Sequence, residues 1–195
     1  MKKFTDFFLA GRMRDLALAE LGYTLHISDP FIPISQIAVP ATLRPLLDTL
    51  RKAYDLGNEQ AKREAIVGPI LGMAATAVGA ARIQTETPVY TEAVGGTVDY
   101  WITGHHTVLV VEAKDSDIER GLGQLAAELI ATIAQPDVVP PAYGIVTSGE
   151  LWRFATVDET TKTIMAERVI YAVPLQLDEV FQRVCAMLHG KANAS

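Results

Sequence analysis

The sequence predicts an α/β fold in which helices flank one central mixed β-sheet. Three observations lead to this prediction. Apolar residues recur at helical spacing in the first third of the chain, the period changes to that of strands after residue 81, and an amphipathic helix then separates three strands from two more. Helices and strands mixed in this order pack as helices on a sheet. A chain of 195 residues, 49% of them hydrophobic, suits one such core.

The first part of the chain is predicted to be mainly helical. An apolar stripe predicts a helix over residues 4–22, and a loop rich in proline and isoleucine follows it. A second helix is predicted over residues 42–57. A third begins at Asn58, a good helix cap, and Pro69 must kink or interrupt it.

Strands dominate the middle of the chain. Gly95-Gly96 and the turn at 104–107 separate the first three strands. The amphipathic helix that follows begins at Ser116, which forms a capping box with Glu119, and ends before Pro136. The predicted strands cover residues 83–90, 97–102, 107–113, 143–147, 152–157 and 163–173, and a closing helix covers residues 177–188.

The two ends of the chain differ in charge. Residues 1–63 carry nine Lys or Arg and seven Asp or Glu, whereas the remainder carries eight and sixteen. The net charge of −6 argues against non-specific binding of polyanions. We expect residues 1–57 to form a helical extension packed on a core of residues 58–195, in one compact unit. Phosphates would be neutralised mainly by basic side chains of the first third: Arg44, Arg51, Lys52, Lys62 and Arg63.

The composition also excludes several classes of function. No apolar run is long enough to span a membrane and the first residues do not resemble a signal peptide, so a soluble cytoplasmic protein is expected. The single cysteine, Cys185, lies in an apolar helical pattern and is expected to be an inert core thiol. The sequence contains no phosphate-binding P-loop, nucleophile elbow or zinc-ligand spacing.

Two charged residues end the third predicted strand. Glu112 and Lys114 point to the same face because side chains alternate along a strand, and taken alone they form a strand-end salt bridge. Asp99 on the preceding strand adds a second acid. A hairpin loop of two or four residues places Asp99 diagonal to or opposite Glu112 on one face, whereas a three-residue loop requires a bulge. A divalent cation is the usual way to make such a pair of acids tolerable.

This constellation resembles the PD-(D/E)XK nuclease superfamily. The motif of that family is an Asp on one strand, (Asp/Glu)-x-Lys on the next and often a Gln in the helix behind. Asp99, Glu112-Ala113-Lys114 and Gln124 match these positions in order. Val98 stands where the family has a proline, at a position that varies within the superfamily.

Two further stretches are similar to the nuclease domain at the start of type I restriction enzyme motor subunits. They are residues 58–71 and the hairpin at 143–154, so the resemblance spans residues 58–157. It implies a restriction endonuclease-like core and metal-dependent hydrolysis of phosphodiester bonds in nucleic acid, with DNA as the expected substrate. The partners it suggests are a second copy of the chain or a companion restriction or defence protein.

The resemblance also implies a role for each matched residue. Asp99, Glu112 and the Ala113 carbonyl would bind Mg²⁺, or Mn²⁺ in its place. Lys114 would orient or deprotonate the attacking water, and Gln124 would fix that water or the metal. Glu59 or Glu64 of the early helix would add a carboxylate at or near the metal. Glu59 is preferred because it lies seven residues before Ile66 and shares its apolar stripe.

Alternative interpretations remain for the same residues. The fold could serve as a binding or assembly module that has lost catalysis. Residues 121–126 spell the dinucleotide fingerprint G-x-G-x-x-A, but that motif needs its first glycine directly after a strand, and here the helix has already begun. His105 and His106 are expected to be solvated in a turn. Trp101 and Trp152 could stack on bases, although packing is the expected role.

Overall fold

The computed structural model of the chain describes residues 1–79, 81–105, 107–113 and 117–190. Within these residues the helices are α1 Phe4–Ala10, α2 Arg14–Ala19, α3 Leu43–Ala53, α4 Glu59–Lys62, α5 Gly68–Val78, α6 Ile118–Ile133 and α7 Leu177–His189. A 3₁₀ turn, Gly11–Met13, joins α1 to α2, and a π-helical turn, Arg63–Val67, joins α4 to α5. The strands are β1 Lys2–Lys3, β2 Thr24–Ser28, β3 Arg82–Tyr90, β4 Val94–Thr103, β5 Val108–Ala113, β6 Ala142–Thr147, β7 Leu151–Asp158, β8 Thr163–Glu167 and β9 Tyr171–Ala172.

All of these strands belong to one mixed sheet. Its main order is β1-β4-β5-β6-β7-β8-β2, with β3 also paired to β4 and β9 to β7. Strands β3, β4 and β5 form an antiparallel meander, and β6 then pairs parallel to β5 after α6 has crossed between them. Strands β6, β7 and β8 continue antiparallel, while β1 and β2 add parallel pairs. The predicted α/β class with a central mixed sheet is therefore confirmed.

Helices cover both faces of the sheet. Along β5, Val108 and Val110 pack into the core that includes α1 and α6, whereas Leu109 and Val111 pack into the opposite core with α3, α5 and α7. Because β5 is buried on both faces, its sequence is apolar without alternation, as expected for a strand in a parallel pair. A Cβ atom at Gly144 of β6 would lie 2.9 Å from Leu125 Cδ1, so glycine at this position lets α6 pack close to the sheet.

The N-terminal residues form two strands in addition to the helices that the sequence predicts. Strand β2 lies in a segment predicted to be a loop, and β1 adds a short pairing to β4. The signal for β2 is weak because its residues show little beyond Leu25 and Ile27 as an alternating apolar pair. Its register is set by the distant strand β8, where Leu25 pairs with Ile164, and local periodicity cannot reveal such a partner.

The helical run that begins at Asn58 is interrupted by the π-helical turn just before Pro69, in agreement with the predicted kink or interruption. Asn58 caps it as predicted, since its Oδ1 atom accepts a hydrogen bond of 2.9 Å from the Ala61 backbone N–H. The π-helical turn ends directly before α5, and Pro69 is the second residue of α5. A proline at the start of a helix lacks only a donor that the first turn does not need, which explains why the chain tolerates it.

The predicted boundaries of β4 and α6 are among those that are wrong. Gly95 and Gly96 lie inside β4, not in a turn before it. Glycine at position 96 makes room for Phe4, since a Cβ atom there would lie 2.7 Å from the ring. Helix α6 begins at Ile118 with Asp117 as its cap, while the predicted cap Ser116 lies outside the described residues.

A buried ion pair ties the N-terminal loop to the sheet. Glu167 of β8 is fully buried and accepts hydrogen bonds from the backbone N–H groups of Phe31 and Ile32, each at 2.8 Å. The Tyr171 hydroxyl donates a third hydrogen bond at 2.9 Å, and Arg183 of α7 forms an ion pair with Glu167 at 3.2 Å. Arg183 also donates to the carbonyl of Ile32. One carboxylate thereby joins a loop, a strand and a helix.

We predict that Glu167→Ala lowers the free energy of unfolding by about 3–5 kcal/mol, because Arg183 loses its buried partner and keeps only the partly exposed Glu179. Glu179→Ala is the matched control. The Glu179 carboxylate binds the same arginine at 3.2 Å but is 34% exposed, so its loss should cost less than about 1 kcal/mol. Urea unfolding of both variants checks this prediction, and equal losses would contradict it.

Candidate active site at the end of strand β5

The hairpin between β4 and β5 has the four-residue loop, one of the two lengths that suit the predicted site. Thr103 pairs with Val108 and Tyr100 with Val111. Continued by one residue, this register brings Asp99 opposite Glu112. The parallel pairing to β6 puts Glu112 at the carboxyl end of two adjacent strands, which is where open α/β sheets bind ligands.

Glu112 is held by the helix that follows its strand. Its side chain is buried, and its Oε1 atom accepts a hydrogen bond of 2.7 Å from Gln124 Nε2. The structure thus brings together Glu112 and Gln124, which the sequence assigned to one site. The same Gln124 nitrogen also donates to Glu128 Oε1 at 3.0 Å. One amide group therefore bridges two carboxyl groups.

Glu128 is a residue of this cluster that the sequence analysis did not assign to the site. It is completely buried, and it lies close enough to Glu112 for a hydrogen bond between the two carboxyl groups. Burial and the adjacent Glu112 carboxyl raise the pKa of Glu128 well above its usual value, and Asp99 adds to this effect. The available signal was Glu128 itself, a charged residue four positions after Gln124 in a helix whose other faces are apolar.

Gln124 and Glu128 each have a buried side-chain oxygen with few or no hydrogen-bond donors among the described residues. Gln124 Oε1 is buried and accepts no hydrogen bond from any described residue. Apart from its contact with the Glu112 carboxyl, Glu128 Oε2 is in the same situation within the described part of the chain. Buried polar atoms are nearly always paired in proteins, so these two oxygens suit a ligand that accepts lone pairs.

Asp99 forms an ion pair with Arg63. The two side chains are 15% and 12% exposed, and Arg63 Nη1 lies 3.2 Å from Asp99 Oδ1. Arg63 also binds Glu86 at 2.6 Å, and its guanidinium lies 5.3 Å from the centre of the Tyr100 ring. Arg63 was predicted to bind phosphate, but here it neutralises the first acid of the motif.

The backbone is distorted next to Asp99. Glu86 has a φ angle of +50°, a left-handed conformation that is uncommon outside glycine, and the pairing of β3 with β4 is interrupted at this residue. Pairing resumes on either side, with Thr85 opposite Tyr100 and Thr87 opposite Val98. Such strain is more frequent at functional sites than elsewhere.

The two candidate glutamates of the early helix have different surroundings. Glu64 is exposed and accepts a hydrogen bond from Gln60 at 2.6 Å. Glu59 is half-buried, one turn before Arg63 and two turns before the buried Ile66. Since residues four and seven apart share a helix side, Glu59 lies on the side that carries Arg63. This placement favours Glu59 for a role near Asp99.

Two of the remaining predicted residues, Lys114 and His106, lie outside the described residues. Ala113 is described only by its backbone, which pairs with Thr147. Two basic residues proposed for phosphate binding are in ion pairs: Arg44 with Asp178 at 2.8 Å and Arg51 with Glu150 at 2.9 Å.

Packing explains one of the two dinucleotide-like glycines. Both lie inside α6, and a Cβ atom at Gly123 would meet the Phe7 carbonyl oxygen at 2.9 Å. Close approach of α1 explains this glycine, and the position inside the helix leaves no strand-to-helix turn for a pyrophosphate.

The aromatic residues and the thiol separate into core and surface positions. Trp152 is buried and donates a hydrogen bond of 2.7 Å to the Gly149 carbonyl, so packing is its role. Trp101 lines an open groove of about 470 Å³. His105 packs edge-on against His189. Burial raises the pKa of the Cys185 thiol to about 12, in agreement with an inert core residue.

Comparisons with known proteins assign no family. No protein-family model matches the chain, and no curated protein matches it as a relative. None of the helices described is long and apolar enough to cross a membrane.

The donor atoms suit a hard divalent cation. No group of three or more His, Cys, Asp and Glu side chains is arranged to hold a metal in residues 1–79, 81–105, 107–113 and 117–190. Glu112 and Glu128 are nevertheless in contact, and Gln124 Oε1 supplies a further unpaired oxygen beside them. Carboxylate and amide oxygens are the ligands that Mg²⁺ and Mn²⁺ prefer.

We predict that Glu128→Gln stabilises the metal-free protein by about 1–3 kcal/mol at pH 8, since it removes a buried acid beside Glu112. A carboxyl whose pKa is raised by folding stabilises the protein fully at low pH and loses this contribution as pH rises through the folded pKa. The gain should therefore shrink toward pH 5. Urea unfolding in EDTA measures it, with the exposed Glu92→Gln as control. An equal gain at both pH values would contradict the assignment.

Proposed function

We propose that the protein is a metal-dependent nuclease that hydrolyses phosphodiester bonds, with DNA as the first candidate substrate. The observation that carries this proposal is the contact of Glu112, at the end of β5, with Gln124 of the crossover helix. These are two positions of the PD-(D/E)XK motif, separated by eleven residues in the sequence, and they meet through a buried hydrogen bond of 2.7 Å.

The order of the elements supports the same proposal. The resemblance implies a core of a helix, three strands, a helix and a strand. Here α5, the meander β3-β4-β5, α6 and β6 follow in that order. The fold alone does not define an activity, so the argument depends on the side chains at the end of β5.

The residues of the chain would divide the work as follows. Asp99, Glu112 and the Ala113 carbonyl are the oxygen donors for a divalent cation. When bound, that cation would polarise the scissile phosphate and acidify a water molecule. Gln124 Nε2 donates hydrogen bonds to the Glu112 and Glu128 carboxyl groups, so its Oε1 atom is left to bind the metal or to accept a hydrogen bond from the attacking water. Lys114 would take up or orient the proton of that water.

Arg63 and Glu59 would act from the helical run that precedes the strands. In the metal-free protein Arg63 provides the positive charge that Asp99 requires. When a cation takes over this charge, Arg63 can remain with Glu86, which it already binds at 2.6 Å, or turn to a substrate phosphate. Glu59 lies on the same helix side and would add a carboxylate near the metal.

A binding or assembly module without catalysis is the second candidate. The ion pairs of Arg44, Arg51 and Arg63 favour it, because each has an acidic partner in place of a phosphate. The net charge of −6 points the same way. A companion protein would then supply the nucleic-acid contacts.

We predict that the purified protein nicks plasmid or single-stranded DNA in Mg²⁺ or Mn²⁺, and that Lys114→Ala lowers the rate at least ~100-fold through loss of proton transfer. Glu112→Gln should have an equal or larger effect. Arg168→Ala is the matched control because this exposed cation follows β8, three strands away from β5, and its rate should match that of the wild type.

Cleavage that survives Lys114→Ala would overturn the mechanism. Nucleic-acid or protein binding without cleavage in either metal would favour the module. Because DNA and RNA share the phosphodiester bond that the proposed reaction cleaves, an RNA substrate tested in parallel shows which of the two the protein prefers.

A further inference from the structure

Helix α6 carries a buried acid that the motif does not require. Glu128 is completely buried, one helical turn beyond Gln124, and it is flanked by the buried apolar residues Leu125 and Leu129. None of the Lys and Arg residues described in the structure forms an ion pair with it. A buried acid without a counter-charge costs considerable free energy, and a leucine at this position would avoid that cost.

Only one of the two oxygens of the Glu128 carboxyl group accepts a hydrogen bond from a described N–H group. Oε1 accepts a hydrogen bond of 3.0 Å from Gln124, and the carboxyl group contacts that of Glu112. Oε2 gains no further partner among the described residues, and neither does Gln124 Oε1. Two buried oxygens therefore lie beside Glu112 with no further hydrogen-bond donor among the described residues.

We infer that Glu128 is a ligand of the divalent cation, which Glu112 of β5 and the Gln124–Glu128 pair of α6 bind together. This inference rests on the proposed function and extends it, because the motif assigns the metal to Asp99 and Glu112 and to no acid of the helix. A cation bound here receives oxygen from both elements and removes the repulsion between the two carboxylates.

The position of Asp99 fits this assignment. Its carboxylate has a positive partner in Arg63 at 3.2 Å, whereas the described residues offer Glu128 only the shared Gln124 amide and the Glu112 carboxyl. The need for a cation is therefore greater at the helix than at β4. Exchange of Asp99 for a neutral residue would leave a buried acid pair behind, and exchange of Glu128 would not.

Isothermal titration of the full chain with Mn²⁺ tests the inference directly. We expect Glu128→Gln to weaken Mn²⁺ binding at least tenfold relative to the wild type, because an amide cannot replace the charge of a carboxylate ligand. Glu92→Gln removes one exposed acid elsewhere in the chain and should change the affinity less than twofold. Circular dichroism melting confirms that each variant is folded before titration.

Glu128→Asp provides the second variant. It keeps the charge with a shorter side chain, so its affinity should fall between those of the wild type and Glu128→Gln. Wild-type affinity in Glu128→Gln, together with loss of binding in Glu112→Gln, would overturn the inference and leave the proposed function intact. Absence of Mn²⁺ binding by the wild type would overturn both.

Discussion

Two buried carboxyl groups that share a single amide are the constraint on which the rest of this site depends. Glu112 and Glu128 both accept hydrogen bonds from Gln124 Nε2, so the helix and the strand are joined through acids that repel each other when ionised. A proton can relieve this repulsion, and so can a cation. The site is therefore built to respond to what binds it, and its stability and ligand affinity are two measures of the same interaction.

Asp99 and Glu112, the acids of the two strands, have different surroundings. Asp99 on β4 is balanced by Arg63, which reaches it from the π-helical turn before α5. Glu112 on β5 faces α6, whose side chains are acidic or neutral at this level. The α5 side of the sheet thus contributes a positive charge and the α6 side contributes oxygen atoms. The positive charge and the oxygen atoms of the site therefore come from opposite sides of the sheet.

Sequence patterns predicted those features that depend on residues close together in the chain. The hairpin, the apolar strand that ends in Glu112 and the apolar stripe of α6 follow from spacing, and the resemblance to the nuclease motif assigned Glu112 and Gln124 to one site. Long-range pairing was beyond reach, since β2 depends on a partner more than 130 residues away. The Arg63–Asp99 ion pair and the contact of Glu128 with Glu112 were missed for the same reason, because each joins elements that only the tertiary fold brings together.

The most direct measurement is the anomalous diffraction of crystals soaked in Mn²⁺. The account predicts a peak beside Glu112, within bonding distance of a Glu128 oxygen and near Gln124, with Arg63 still close to Asp99 or Glu86. A fully occupied peak that contacts neither Glu112 nor Glu128, or no peak at this end of β5 in crystals that bind Mn²⁺ elsewhere, would contradict it.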